Sequence, residues 1–362
     1  KVPAPMAGLL GVRVQSVAAS VYHVLVLSVD GTAFSWGDGG YGALGHGDTE
    51  DVAQPKPIRA LHNVSAIAAS GGASFSILSD GSLWSWGTAR NDYSILGHSD
   101  GHSQVLQPQQ IEALAGKRIC AIASSKGYRG SAHALAACAD GSCFSWGSNS
   151  VGQLGVNYPV SAQTPVHIVE LSSERVSNVA AAEGSSCVVT VQGTLWQFGL
   201  WEGVRRPKPM RLERTLLDGH RVVSVAIGEF HRLALTDDGL VFSWLDKKAY
   251  ARDSSPIHAQ ELIRNLGHGG DHIDQAGEMI FTPQPIISLY GRRICSISLG
   301  SCRSSSIVAG WTQSAGDRPD LGEQVAEAKR PQWACWRWGT EPPGLPQRVA
   351  AIGANRSEQP EE

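Results

Sequence analysis

The chain has 362 residues, of which 42% are hydrophobic and 17% charged, and its formal net charge is −3. This length exceeds the usual limit for one simple core and the hydrophobic content excludes a disordered chain, so we expect two domains or one repeat-built domain. A small negative charge is not typical of a protein that binds nucleic acid over its whole surface.

A repeated eight-residue segment is the main signal in the sequence. Residues 30–37 read DGTAFSWG, residues 80–87 read DGSLWSWG and residues 140–147 read DGSCFSWG. The Asp-Gly pair suits a tight hairpin turn, because Gly supplies the positive φ that such a turn needs. The residues that follow alternate with a period of two, which indicates a β-strand. Three weaker copies come later in the chain: QGTLWQFG at 192–199, DGLVFSWL at 238–245 and WACWRWG at 333–339.

Recurring segments flank each copy. Two apolar stretches precede it, as in residues 14–29, VQSVAASVYHVLVLSV. Leu-Gly and then a Pro follow it, as in Leu154-Gly155 and Pro165. Each unit therefore predicts four short strands, and four strands with a period of about 50 residues are typical of one propeller blade.

These units resemble the repeats of the RCC1-like (regulator of chromosome condensation) family of β-propellers. The family unit contains Asp-Gly-x-x-x-x-Trp-Gly, then Gly-Gln-Leu-Gly and a Pro, and residues 140–147, 152–155 and Pro165 match it. The resemblance covers residues 11–353 and implies one all-β propeller domain. Six units are legible, whereas the family usually closes seven blades, so we expect a degenerate seventh. The Trp residues expected in the structural core are Trp36, Trp86, Trp146, Trp244 and Trp338.

Two insertions and two terminal segments complete this organisation. The insertions interrupt the last two units at about 246–285 and 311–332. Within the insertions, apolar residues at helical spacing predict short helices. Each helix could either cover a blade or bind a partner, and the sequence favours neither role. The predicted helices lie at 257–266 and 320–330, and the terminal segments are 1–10, which we expect to help close the ring, and 354–362.

No catalytic or metal-binding pattern stands out. The sequence contains no P-loop, HExxH or GxSxG motif, so we predict no enzymatic activity, no cofactor and no metal site. His46, His98 and His268 each follow Leu-Gly and are interpreted as residues of surface turns. Residues 267–274, GHGGDHID, are interpreted as a solvated loop. The family resemblance implies a hydrogen bond between strands for His23 and His231.

A cluster of cations in the fourth unit is the best candidate for a binding surface. Trp201 precedes the cluster as a possible exposed anchor, since Trp and Arg are enriched at interface hot spots. The cluster could meet an acidic protein or RNA phosphates, and a solvated outer strand is the alternative. The acidic residues 357–362 argue against DNA contact. The predicted partner-binding residues are Trp201, Arg205, Arg206, Lys208, Arg211 and Arg214.

We therefore predict that the protein is a non-enzymatic scaffold that binds other proteins. One such scaffold would be a structural subunit of a larger assembly. The alternative is a guanine-nucleotide exchange factor or regulator of a small Ran-like GTPase, because the resemblance implies the founding activity of the family, nucleotide exchange on Ran. A weaker alternative is a receptor similar to a plant ultraviolet-B photoreceptor. Positions equivalent to that receptor's repeated Gly-Trp-Arg-His-Thr segment lack Trp here, as in residues 20–23 and 228–231.

Seven Cys residues and the N-terminus bear on the compartment. An odd Cys count without a CxxC motif predicts buried free thiols and an intracellular reducing compartment, with the cytoplasm favoured over the nucleus or an organelle. The chain begins at Lys1 and not at Met, so we expect any targeting segment to have been removed. It has no stretch of about 18 apolar residues, so we expect no membrane span.

Overall fold

The computed structural model describes an all-β chain. Its described residues form six four-stranded antiparallel sheets, each built from four strands that are consecutive in the chain. The expected seventh blade is not found among these residues, and the helices predicted at 257–266 and 320–330 lie outside them apart from Leu266. The described residues are 6–88, 95–99, 103–125, 132–157, 160–201, 204–228, 231–245, 266, 282–299, 306–312, 332–338 and 347–352.

Residues 1–212 make one compact unit, which contains sheets 1 to 4. Sheets 1 and 2 contain β1 (Val14–Ala19), β2 (His23–Ser28), β3 (Ala33–Gly37), β4 (Val52–Pro57), β5 (Val64–Ser70), β6 (Ala73–Leu78), β7 (Leu83–Thr88) and β8 (Gln104–Gln110). Sheets 3 and 4 contain β9 (Ile119–Ser124), β10 (His133–Cys138), β11 (Cys143–Gly147), β12 (Ala162–His167), β13 (Val176–Ala182), β14 (Ser185–Thr190), β15 (Leu195–Trp201) and β16 (Val204–Arg211).

Residues 213–362 make the second compact unit, which contains sheets 5 and 6. Its strands are β17 (Val222–Ile227), β18 (His231–Thr236), β19 (Val241–Leu245), β20 (Gln284–Pro285), β21 (Arg292–Leu299), β22 (Ser306–Thr312), β23 (Gln332–Trp338) and β24 (Gln347–Ile352). A single domain over 11–353 stays a prediction.

Helix is confined to single 3₁₀ turns in the described part of the chain. None of the described helices is long and apolar enough to cross a membrane. The turns are Ala7–Leu9, Glu112–Leu114, Val169–Leu171, Arg214–Leu217 and Ile287–Leu289.

The Asp-Gly turns join the second and third strands of the first three sheets. Gly141 has a φ of 92°, a value that favours glycine. The carboxylate of Asp140 accepts hydrogen bonds from the backbone N–H of Ser142 at 2.9 Å and from its hydroxyl at 2.6 Å. These bonds to Ser142 hold the pKa of Asp140 below its ordinary value. The aspartate is therefore a structural group of its own turn.

The repeated Leu-Gly pair lies against the Trp of the next sheet. The Trp86 indole is fully buried and donates a hydrogen bond to the Ala43 carbonyl of sheet 1 at 2.8 Å. Gly45 has a φ of 76°, and a Cβ atom there would lie 2.7 Å from Trp86 Nε1. A larger residue would clash with the indole, so the contact explains why glycine follows Leu44. Trp146 makes the equivalent bond to the Ile95 carbonyl at 2.6 Å.

The predicted core position of the Trp residues is only partly correct. Trp86, Trp146 and Trp244 are fully buried, whereas Trp36 is half-buried. Trp86 and Trp146 are each covered by a loop of the preceding sheet, and sheet 1 has no preceding sheet within its unit. The side chain of Trp338 lies outside the described part.

Candidate binding surface

Buried histidines link neighbouring sheets of the first unit. His23 is 2% exposed, and its Nε2 lies 2.7 Å from the Ser74 hydroxyl of sheet 2. That hydroxyl donates to the Ala43 carbonyl at 2.8 Å, so it accepts from Nε2–H of His23. Nδ1 of His23 lies 2.9 Å from the hydroxyl of Ser20. The hydrogen bond from His23 to Ser74 therefore joins two sheets as well as two strands. The same arrangement recurs with His133 in place of His23, Ser186 in place of Ser74, the Gln153 carbonyl in place of that of Ala43, and Ser125 in place of Ser20.

Burial favours the neutral form of His23 and of His231. Burial lowers the pKa of His23 to about 4, although the charge of Asp38 acts in the opposite direction. Burial, followed by the charge of Arg232, lowers the pKa of His231 to about 4. A neutral imidazole can donate at one nitrogen and accept at the other, which is the pattern that His23 shows. The arrangement suits a structural link.

A second set of hydrogen bonds holds the Leu-Gly loops. The hydroxyl of Ser35 donates to the Leu44 carbonyl at 2.7 Å, and His46 Nε2 lies 3.0 Å from the same hydroxyl. Ser85, Leu96 and His98 repeat this arrangement, and His98 is only 5% exposed. The interpretation of His98 as a surface residue is therefore wrong, because its ring packs beneath the loop. Further pairs of this set are Ser145 with Leu154 and Ser243 with Leu266.

The described residues contain no group of three His, Cys, Asp or Glu side chains that could hold a metal ion. His268 and most of residues 267–274 lie outside the described part, so that loop stays an interpretation. Five Cys residues are described and form no disulfide with one another; Cys120 and Cys295 are exposed and three are buried. The expectation of burial is therefore wrong for these two.

The structure gathers the predicted cations on the outer strand of sheet 4. Arg205, Arg206, Lys208 and Arg211 lie on β16, and Arg214 begins the 3₁₀ turn that follows. Arg206 and Arg214 are half-buried, and the other three are exposed. Arg206 contacts the Met210 sulfur at 3.4 Å, and Arg214 donates to the Gly219 carbonyl at 3.2 Å. None of the five forms an ion pair with another described residue.

Trp201 does not belong to the exposed surface. It ends β15, pairs with Val204 and is only 6% exposed. Side chains alternate along a strand, so Trp201 continues the face that carries Leu195 and Gln197, which are 1% and 2% exposed. The prediction of an exposed anchor is therefore wrong.

The sequence analysis overlooked His133 and the serines that accept from the buried histidines. A signal for His133 was present in the recurrence of His two residues before a Leu, as in His23, His133 and His231. No comparable signal marks Ser74 or Ser186, because their role depends on which sheet packs beside them.

Sequence models of a known repeat family match several of the repeats described above. The regulator of chromosome condensation (RCC1) repeat model matches residues 30–78, 80–128 and 140–189. A second RCC1 repeat model matches residues 14–43 and 119–153.

Two relatives are 30% identical to the chain over the matched residues. The E3 ubiquitin-protein ligase HERC2 of Homo sapiens matches over 309 residues, which are 82% of this chain and 6% of that protein. The ultraviolet-B receptor UVR8 of Arabidopsis thaliana matches over 252 residues, which are 67% of this chain and 55% of the receptor. The chain thus spans a small part of the first and about half of the second.

Solved structures share the fold. Prp20p of Saccharomyces cerevisiae, which was studied for its binding to Gsp1p and histones, matches with a TM-score of 0.69 and 21% identity, covering 94% of this chain and 77% of that one. Human WBSCR16 matches with a TM-score of 0.62 and 20% identity, covering 80% and 70%. With its repeated Trp-Gly strands, its Leu-Gly loops and these matches, the chain belongs to the RCC1-like family of β-propellers.

Proposed function

We propose that this chain is a protein-binding propeller without chemistry of its own, which serves as a structural subunit of a larger assembly. The observation that carries the proposal is the contrast between the buried polar side chains, which bond within the fold, and the exposed cations of β16. Several buried His and Ser side chains bond to neighbouring sheets and loops, as in His23 and Ser74. The exposed cations of β16 have no ionic partner among the described residues. Prp20p, which has the same fold, supports protein partners by analogy.

A charge-reversal variant tests the proposal. We expect Arg205→Glu, Lys208→Glu and Arg211→Glu together to abolish capture of the partner, because all three are exposed and reversed charges repel an acidic surface. The melting temperature should not fall, since exposed substitutions usually change stability by less than about 0.5 kcal/mol. The measurement is crosslinking in a lysate of the source organism followed by mass spectrometry. Unchanged capture by the triple variant would remove β16 from the binding surface.

Regulation of a small GTPase is the second candidate. The match to Prp20p, a protein studied for its binding to Gsp1p, covers 94% of this chain and favours it. The test is the release of a labelled guanine nucleotide from a Ran-like GTPase. Faster release in the presence of this protein would replace the scaffold proposal.

Light sensing is the weakest candidate. The match to UVR8 supports it, but none of the seven Trp side chains whose burial is described is exposed. Their packing suits a core role. A change of oligomeric state under ultraviolet-B light, measured by gel filtration, would support light sensing, and its absence would exclude a receptor of that type.

We also propose that a further sheet covers sheet 1, which gives the seven blades expected from the resemblance. Val17 is 61% exposed and Trp36 is half-buried, whereas Val179 and Trp146, at the equivalent positions of later sheets, are 7% and 0% exposed. If a seventh sheet covers this face, Trp36→Ala should destabilise the protein about as much as Trp86→Ala. The comparison is made by denaturant unfolding. A cost for Trp36→Ala below half that of Trp86→Ala would argue against the seventh sheet.

A reducing intracellular compartment is proposed on the state of the thiols. Cys120 is exposed and forms no disulfide with a described residue, which suits a compartment where disulfides do not persist. Thiol labelling in intact cells tests this: oxidised Cys120 in freshly lysed material would contradict the proposal.

A further inference from the structure

The outer strand of sheet 4 differs in charge from its counterparts in sheets 1 to 3. In each of sheets 1 to 4, two positions of the outer strand have equivalent partners on the third strand. One position pairs with the Gly of the repeat and the other pairs with its aromatic residue. Arg206 and Arg211 occupy these two paired positions in sheet 4. The counterparts are Val52 and Pro57 in sheet 1, Val105 and Gln110 in sheet 2, and Ala162 and His167 in sheet 3. The repeat itself does not require these two cations.

The outer strand of each of sheets 1 to 4 also contains a bulge. The middle residue of this bulge is basic in sheet 4 but not in sheets 1 to 3. Residues 207–209 lie opposite Phe198, between the pairs formed by Arg206 and Met210. The middle residue is Lys208, and its counterparts are Gln54, Gln107 and Thr164. The bulge therefore carries a cation at its centre only in sheet 4.

The edge of β16, where Pro207 lies close to Gly152 of the sheet 3 loop, is unsuited to pairing with an added strand. Pro207 and Pro209 flank Lys208, and proline has no backbone N–H to donate to a neighbouring strand. The bulge also interrupts the regular spacing of the backbone groups. Recognition along this edge must therefore use side chains.

Three of the cations of β16 are exposed along its edge. Paired residues in antiparallel strands share a face, so Arg205 and Arg211, which pair with Leu200 and Trp196, lie on one face of the sheet. Arg205, Lys208 and Arg211 are all exposed, and none has a polar partner among the described residues. A segment lying along the edge could meet all three.

Sheet 4 also lacks the long loop that precedes the outer strand elsewhere. Residues 38–51, 89–103 and 148–161 separate the third and fourth strands of sheets 1, 2 and 3. In sheet 4 only residues 202–203 separate β15 from β16. The basic strand therefore begins only three positions after the last residue of β15, so no long loop of its own sheet precedes its first cations.

We propose that β16 binds an acidic, extended segment of a protein partner through Arg205, Lys208 and Arg211. The inference rests on the proposed protein-binding function and names the chemistry of the partner. An acidic protein is favoured over RNA because β16 carries no aromatic residue, whereas binding of single-stranded RNA usually relies on stacking of bases on exposed aromatic side chains. Of the two Trp residues on the paired strand β15, Trp201 is buried and Trp196, which pairs with Arg211, is half-buried.

The test measures the fluorescence anisotropy of a labelled polyglutamate peptide of about 12 residues, which is long enough to follow a strand of ~26 Å. The variant replaces Arg205, Lys208 and Arg211 by Gln. Its matched control replaces Gln104, Gln107 and Gln109, three exposed residues of the outer strand of sheet 2, by Glu. The two variants lower the net charge equally, so they separate a local site from the effect of overall charge.

We expect the peptide to bind the natural chain and the Glu control similarly, and the Gln variant at least about tenfold more weakly. Affinity should also fall as salt rises from about 50 to about 300 mM, because exposed charges are screened. Equal affinities of the two variants would overturn the proposal, and so would binding of a single-stranded RNA of equal charge without binding of the peptide.

The cellular capture experiment separates failure of this inference from failure of the proposed function. Partner capture that survives the Gln substitutions, with unchanged crosslinks, would leave a protein-binding propeller whose site lies elsewhere. Absence of any stoichiometric protein partner of the natural chain would contradict the proposed function itself.

Discussion

Trp86→Ala is expected to lower the free energy of unfolding by ~3–5 kcal/mol, the usual cost of removing a large buried aromatic side chain. The Trp86 side chain is fully buried in the core between sheets 1 and 2. The substitution also leaves the buried Ala43 carbonyl without the indole that donates to it at 2.8 Å. The measurement is denaturant unfolding followed by circular dichroism.

Trp84 supplies the matched control on the same strand. It is half-buried, and its indole donates to the Ser82 hydroxyl at 3.0 Å within the same turn region. Trp84→Ala removes a side chain of the same size but leaves a smaller cavity, so its cost should be clearly lower. A cost below about 1 kcal/mol for Trp86→Ala, or equal costs for the two variants, would show that the contact between sheets is not what stabilises this unit.

The sequence was sufficient to predict the strands because their signals are local. An Asp-Gly pair needs a positive φ, and the alternation that follows it places Trp86 and Trp146 on one face of a strand. Whether that face is covered is decided by the neighbouring sheet. The motif around Trp36 is the same as that around Trp86, and only the packing of whole sheets explains why Trp36 is half-buried.

The candidate surface could be located from the sequence but not resolved into exposed and buried residues. A count of charges was enough to find Arg205, Lys208 and Arg211, and all three are exposed. Trp201 was misjudged because its exposure depends on how far β15 extends: two residues beyond Gly199, the alternation returns the side chain to the buried face. The bulge at 207–209, which turns Lys208 outward, has no local signal other than its prolines.

Acidification is expected to destabilise the protein through its buried histidines. The pKa of His23 and that of His231 are each lowered from 6.5 to about 4, chiefly because burial disfavours the charged imidazole. The unfolded chain therefore binds protons at a higher pH than the folded chain does. The free energy of unfolding has its full value above about pH 6.5 and falls as the pH decreases towards about 4. At 1.36 kcal/mol per pKa unit, each histidine accounts for a loss of roughly 3 kcal/mol.

The double variant His23→Gln and His231→Gln isolates this effect. Glutamine can still donate and accept hydrogen bonds but does not titrate, so the variant should be less stable at pH 7 and should lose less stability between pH 6.5 and 4. His62→Gln is the control, because His62 is exposed and its removal should leave the pH dependence of the natural chain unchanged. Melting temperatures measured across this range supply the comparison. A double variant that loses stability as steeply as the natural chain would show that other groups, and not these two buried imidazoles, set the response to acid.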